Sequence, residues 1–128
     1  KADPDSYFKL ANYVEEAGFD QLSIEDAHCC NDLSLLDKFS KKTIIFGAVS
    51  VAKSRVETVE EIAARLKVAL NHIDRDRLVV APDCGLGLLL SVIASEKLSP
   101  MVKSIKTAWC IDTMTGHISI RCNHFNSG

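Results

Sequence analysis

Seven residues, Thr43-Ile44-Ile45-Phe46-Gly47-Ala48-Val49, run almost without a polar interruption. A strand with one wet face alternates apolar and polar side chains. A run that is apolar at nearly every position reads instead as a strand covered on both faces, as in a parallel sheet. Two shorter runs flank it: Gln21 to Glu25 before, and Leu78 to Ala81 after. Helical patterns separate the three. Asp5 to Ala17 places Phe8, Ala11, Val14 and Ala17 on one face, with Gly18 as the expected C-terminal cap. Asp32 to Phe39 offers Leu33, Leu35, Leu36 and Phe39 for burial. Thr58-Val59-Glu60-Glu61 is a capping box, and the helix it opens carries a stripe of Ile62, Leu66, Ala69, Leu70 and Ile73. A helix over Leu88 to Glu96 is expected after Gly87, then a break at Pro100 and a short helix over Met101 to Lys106. The order α-β-α-β-α-β-α is that of parallel βα units, so the fold class is α/β. The stretch from Thr107 to Gly128 has no clear period.

The totals exclude more than they select. A net charge of −2 advertises neither nucleic acid nor a membrane surface. No apolar run approaches the roughly 20 residues of a membrane span, and no signal peptide is visible at the start. The 5 cysteines are odd in number and irregularly placed. That pattern fits a reducing cytoplasmic setting better than a disulfide scaffold. The chain begins at Lys1 instead of Met, which suggests a processed product or a fragment.

Parallel α/β folds carry their chemistry at the C-terminal ends of strands. Three such ends are visible: Ile24-Glu25-Asp26, Ser50 to Ser54, and Asp83-Cys84-Gly85. An acid and a thiol thus emerge at one sheet edge, and both types ligate zinc. The plain alternatives stand beside this: an acid after a strand is often a helix cap, and a cysteine is often a small buried hydrophobe. His28-Cys29-Cys30 matches no standard zinc spacing, nor do Cys110, His117, Cys122 and His124. Gly85 and Gly87 lack the third glycine of a dinucleotide loop, because Leu90 stands there. His72 falls near the negative end of its helix.

Leu22-Ser23-Ile24-Glu25, followed by Pro82-Asp83-Cys84-Gly85-Leu86, resembles the cobalamin-independent methionine synthase family, including its shorter core relatives. Ser54 to Ile62, Glu96-Lys97-Leu98 and Met101-Val102 fit the same pattern, so the likeness covers about residues 5 to 106. It implies the C-terminal part of a (β/α)8 TIM barrel, with these three strands as its last three. It implies a transferase that moves a methyl group to the thiol of homocysteine, forming methionine. It also implies a zinc ion, for which Glu25 would be the carboxylate ligand and Cys84 the later cysteine ligand.

The family's other two ligands form an H-x-C motif, expected upstream of Lys1. Larger family members carry a D-I-H-S-P segment after the second of these strands. Here the region reads Ser50-Val51-Ala52-Lys53-Ser54, so the histidine's proton-donor role does not carry over, and the methyl donor is a folate or another compound. With three strands for eight, the barrel is expected to be incomplete and inactive alone. Its open edges suggest self-association or pairing with an N-terminal half. A non-catalytic truncated homologue that only folds or self-associates is the alternative. A further variant adds Cys29 or Cys30 to Glu25 and Cys84. Residues 107–128 look foreign to the family and form a divergent tail.

Overall fold

The computed structural model describes residues 4–109. Its centre is β2 (Thr43–Val49), flanked by β1 (Gln21–Glu25) and β3 (Leu78–Pro82) in the order β1-β2-β3, all parallel. Pairing aligns Leu22 with Ile44 and Leu78, and Ile24 with Phe46 and Val80. Side chains alternate along a strand, so these six share one face. That face meets the helices. Ile44 and Phe46 are fully buried, in one core with Leu36, Ile62, Leu66 and Met101.

The opposite face is not covered in the same way. Gln21, Ser23 and Glu25 are exposed and Ile45 is only partly buried. On that face of β2, Thr43 and Ile45 are partly buried while Gly47 and Val49 are buried, so the expectation of a strand covered on both faces holds fully only for the exit half of β2. The reason is topological: the described sheet has three strands and is not closed, and the segment after β3 covers only the exit end of β2.

Between the strands, α1 (Pro4–Glu16) buries Ala11 and packs Phe8 and Val14 against the core. Gly18 does not adopt the left-handed conformation expected of a glycine cap. Lys42 serves that end instead. Its ammonium, over the Phe19 ring at 4.4 Å, donates to the carbonyls of Ala17 (2.5 Å) and Phe19. The cation answers the helix's unpaired carbonyls and negative end.

The segment after β1 is a 3-10 helix, Leu33–Lys38, not an α-helix. Leu33, Leu36 and Phe39 lie three residues apart, the repeat of a 3-10 turn, and all three are buried. The Asp32 side chain caps it by accepting the Ser34 N–H at 3.0 Å. The capping box of α2 (Val59–Leu70) forms as expected. Thr58 Oγ1 accepts the Glu61 N–H at 3.2 Å, and Glu61 accepts the Thr58 N–H at 2.9 Å.

The last helical stretch departs from expectation in three ways. Leu86–Leu88 is a 3-10 turn, and α3 is a single helix, Ser91–Trp109, with Pro100 inside it. Proline removes one helical bond, at a cost of about 3 kcal/mol. Burial of Met101, Ser104 and Ala108 beyond it, together with packing along α2, carries the helix through. The helix also runs three residues past the boundary expected at 106. The candidate residues Cys110, His117, Cys122 and His124 lie outside the described residues. Among the described residues no helix is long and apolar enough to cross a membrane.

Candidate metal centre

Glu25 is the last residue of β1, and Cys84 stands two residues past the end of β3. The two strands are not neighbours, since β2 lies between them. At about 4.8 Å per strand spacing, their exits are some 10 Å apart. Yet Cys84 Sγ lies 3.6 Å from Glu25 Oε1. Both residues are exposed.

Gly47 is what lets the pair converge. It stands between Glu25 and Ala81 in the register. A Cβ there would come within 2.9 Å of Asp83 Cα and 3.1 Å of the Ile24 carbonyl, and would strike Asp83 Oδ1. The groups after β3 thus pass directly over the backbone of β2.

Asp83 fixes this arrangement. Its Oδ1 accepts the N–H groups of Asp26 and Ala27, each at 3.1 Å, and its Oδ2 accepts that of His28 at 2.8 Å. Its own N–H donates to the Val49 carbonyl at 2.9 Å. This last bond sits at a register irregularity between Gly47 and Val49, beside Pro82, which has no N–H to give. Burial pushes the Asp83 carboxyl above the usual carboxylate range, against the pull of the three N–H donors.

Asp26 is occupied elsewhere. It is 1% exposed and receives Arg65 through two bonds, Nε to Oδ2 at 2.5 Å and Nη2 to Oδ1 at 2.7 Å. This acid is a structural anchor between the β1 exit and α2, and the hydrogen bond to it raises the Arg65 pKa. His72 pairs with Asp37 at 3.0 Å, near the end of α2 as expected. Cys29 and Cys30 are free and exposed. Among the described residues no group of three or more His, Cys, Asp and Glu side chains could hold a metal. Cys29 and Cys30 thus form no such group with Glu25 and Cys84 among the described residues. The turn holding them is fixed by the Cys30 N–H to the Asp26 carbonyl at 2.7 Å, with Cys30 at φ 50°.

Partial desolvation, the hydrogen bond to Glu25, and the charges of Glu25 and Asp83 all push the Cys84 thiol up. A carboxylate beside a thiol keeps the proton on sulfur, and a cation between them reverses that preference. The spacing suits one. Bond lengths of about 2.3 Å to sulfur and 2.1 Å to oxygen at a tetrahedral angle put the two ligand atoms about 3.6 Å apart. The observed separation is 3.6 Å, so the two residues fit zinc.

Two contacts fix the loop after β2. Lys97, fully buried on α3, donates to the Arg55 carbonyl at 2.5 Å and to Glu57 Oε2 at 3.1 Å. Glu57 Oε1 accepts the Ser50 N–H at 3.0 Å, which ties down the loop after β2.

Three parallel strands with helices packed against them, and side chains gathered at the strands' C-terminal ends, form an α/β unit of the kind that a (β/α)8 barrel repeats. A family model described as "Cobalamin-independent synthase, Catalytic domain" matches residues 5–107. The chain is 39% identical over 102 residues to a methionine synthase of Pyrococcus abyssi, covering 79% of this chain and 30% of that protein. It is 33% identical over 102 residues to one from Saccharolobus islandicus, covering 78% and 31%. Among solved structures it is similar to a B12-independent methionine synthase from Shewanella sp. W3-18-1 in complex with selenomethionine. There the TM-score is 0.79 at 25% identity, over 85% of this chain and 32% of the other. The chain belongs to the cobalamin-independent synthase catalytic-domain family. It spans about 30% of the length of the curated relatives it matches.

Proposed function

We propose that this chain supplies Glu25 and Cys84 to the zinc site of a methyltransferase that forms methionine from homocysteine. The observation that carries the reading is the 3.6 Å approach of Cys84 Sγ to Glu25 Oε1 over the bare backbone of Gly47. Zinc, when bound, supplies a Lewis acid that lets a substrate thiol react as a thiolate near neutral pH. Glu25 offers an anionic oxygen, and Cys84 gives up its proton to become the sulfur donor. Asp83 and Gly47 keep both at one sheet edge.

Two donors are an incomplete ligand set, so the remaining ligands come from outside the described residues. Catalysis then requires the remainder of the barrel, and the chain alone is inactive. Among the described residues the outer edges of β1 and β3 are unpaired, which supports pairing with that remainder. The loop after β2 holds Ser50 through Glu57 and carries no histidine, so proton donation during transfer falls to another group, and the methyl donor is a folate or another methylated compound. Free thiols at Cys29, Cys30 and Cys84 fit the reducing cytoplasm.

The open sheet edges also favour a second reading, a non-catalytic homologue that folds and self-associates. Zinc content per chain separates the two, measured by elemental analysis on the purified protein and on Cys84→Ser. Metal that is lost in Cys84→Ser supports the enzyme reading, and methyl transfer to homocysteine is then assayed with the rest of the barrel supplied. Equal, negligible metal in both proteins once the rest of the barrel is supplied sinks it.

A further inference from the structure

We infer that Asp83 is a positioning residue: a clamp that sets the Glu25–Cys84 separation without itself taking the metal. The inference rests on the reading of that pair as metal ligands. Asp83 directly precedes Cys84, and the three N–H groups it accepts, those of Asp26, Ala27 and His28, directly follow Glu25. The clamp therefore spans β1 and β3 one residue from each donor, across a strand that contacts both. Both of its carboxylate oxygens are taken, Oδ1 by two N–H groups and Oδ2 by one. Oδ2 keeps a second lone pair, but Asp83 is buried and forms no group of three with Glu25 and Cys84 among the described residues, so the donor set from this edge stays one sulfur and one carboxylate.

The hydrogen-bond pattern also says what happens without Asp83. The N–H groups of Asp26 and Ala27 are shared with the Gly47 carbonyl, at 3.2 Å and 3.0 Å. They keep that partner when Asp83 is truncated. The exposed His28 loses the bond to Oδ2 and turns to water. Asp83→Ala should therefore fold, while the exits of β1 and β3 lose the link that brings them together. Asp83→Asn keeps one carbonyl oxygen and sets an N–H₂ against the remaining donors, so it retains part of the clamp.

The test uses the full chain, with the remainder of the barrel supplied, and Cd²⁺ as probe, read by the ultraviolet cadmium–thiolate absorption, with Cys84→Ser as the blank. Far-ultraviolet circular dichroism confirms the fold, and amide exchange at His28 reports the clamp itself. Asp83→Ala should weaken the Cys84-dependent cadmium binding by about tenfold or more. Asp83→Asn should fall between it and wild type. Faster exchange at His28 should accompany the loss in both. A folded Asp83→Ala that binds cadmium as wild type does overturns the clamp alone. If Asp83→Ala fails to fold, Asp83→Asn decides on the same criterion. A wild-type chain with no Cys84-dependent absorption overturns the ligand reading and the clamp with it.

Discussion

Removing the Glu57 carboxylate should damage this fold more than removing the lysine it pairs with, and the reason lies in how the two are buried. Lys97 has a side chain 0% exposed, whereas Glu57 is 14% exposed. In Glu57→Ala the ammonium keeps only the Arg55 carbonyl, and the Ser50 N–H, on a residue 2% exposed, loses its acceptor. Stranding one member of a buried ion pair costs about 3–5 kcal/mol, and an orphaned buried N–H adds about 1–3 kcal/mol. Lys97→Met keeps the aliphatic volume and leaves Glu57 with the Ser50 N–H and some water. Its cost belongs at or below about 3 kcal/mol. The double variant should recover part of the Glu57→Ala loss, because no charge is left stranded. Urea unfolding followed by far-ultraviolet circular dichroism measures all three. In a domain of this size each kcal/mol also moves Tm by about 4 °C. Equal costs for the two single variants, or costs under about 1 kcal/mol for both, would refute the argument that the pair is desolvated.

Gly47→Ala should be destabilising by about 1–3 kcal/mol or more. The new Cβ would meet backbone at 2.9 Å and 3.1 Å, which cannot swing aside, and the same variant should reduce metal binding at Cys84. Thr58→Ala should cost about 1 kcal/mol by urea unfolding, because the Glu61 N–H loses its cap. A pH effect follows from Glu15. Burial raises its pKa, but hydrogen bonds from the Ser40 hydroxyl and the Ser40 and Lys41 N–H groups, with the Lys42 charge, outweigh that and hold it below 4.5. A carboxyl depressed by folding contributes stability above its unfolded pKa and loses it as pH falls through the folded one. Stability should therefore fall below about pH 4.5, where free glutamate titrates, and Glu15→Gln should show a smaller fall over that window.

The strands were the most legible part of the chain, because a strand in a parallel sheet announces itself through a run of branched apolar residues. Thr43 to Val49 and Gln21 to Glu25 form with the bounds their composition indicates. The capping box at Thr58 is equally local: its donors and acceptors lie three residues apart. Helix type was harder, since it depends on length and burial beyond the pattern. Leu33, Leu35, Leu36 and Phe39 are all buried, as their character demands. A six-residue segment between a strand exit and a strand entry satisfies that with 3-10 turns. Pro100 misleads for the opposite reason. Its local penalty is real, but the packing of α3 on α2 and the sheet exceeds it, and no local rule contains that term.

The site divides along the same line. That Glu25 and Cys84 share a sheet edge follows from strand polarity alone. That they come within 3.6 Å of each other does not, because two strand spacings separate their backbones. The closing distance is supplied by a third residue, Asp83, acting on N–H groups 55 to 57 positions away in the chain. Such a contact exists only once the register of all three strands is set. One mark of it was nonetheless present in the sequence: a glycine in the middle of an otherwise bulky apolar strand. An interior strand glycine weakens the strand unless something must approach its backbone closely. At Gly47 that something is Asp83, and the cost of the missing side chain in β2 is offset by the clamp that passes over it.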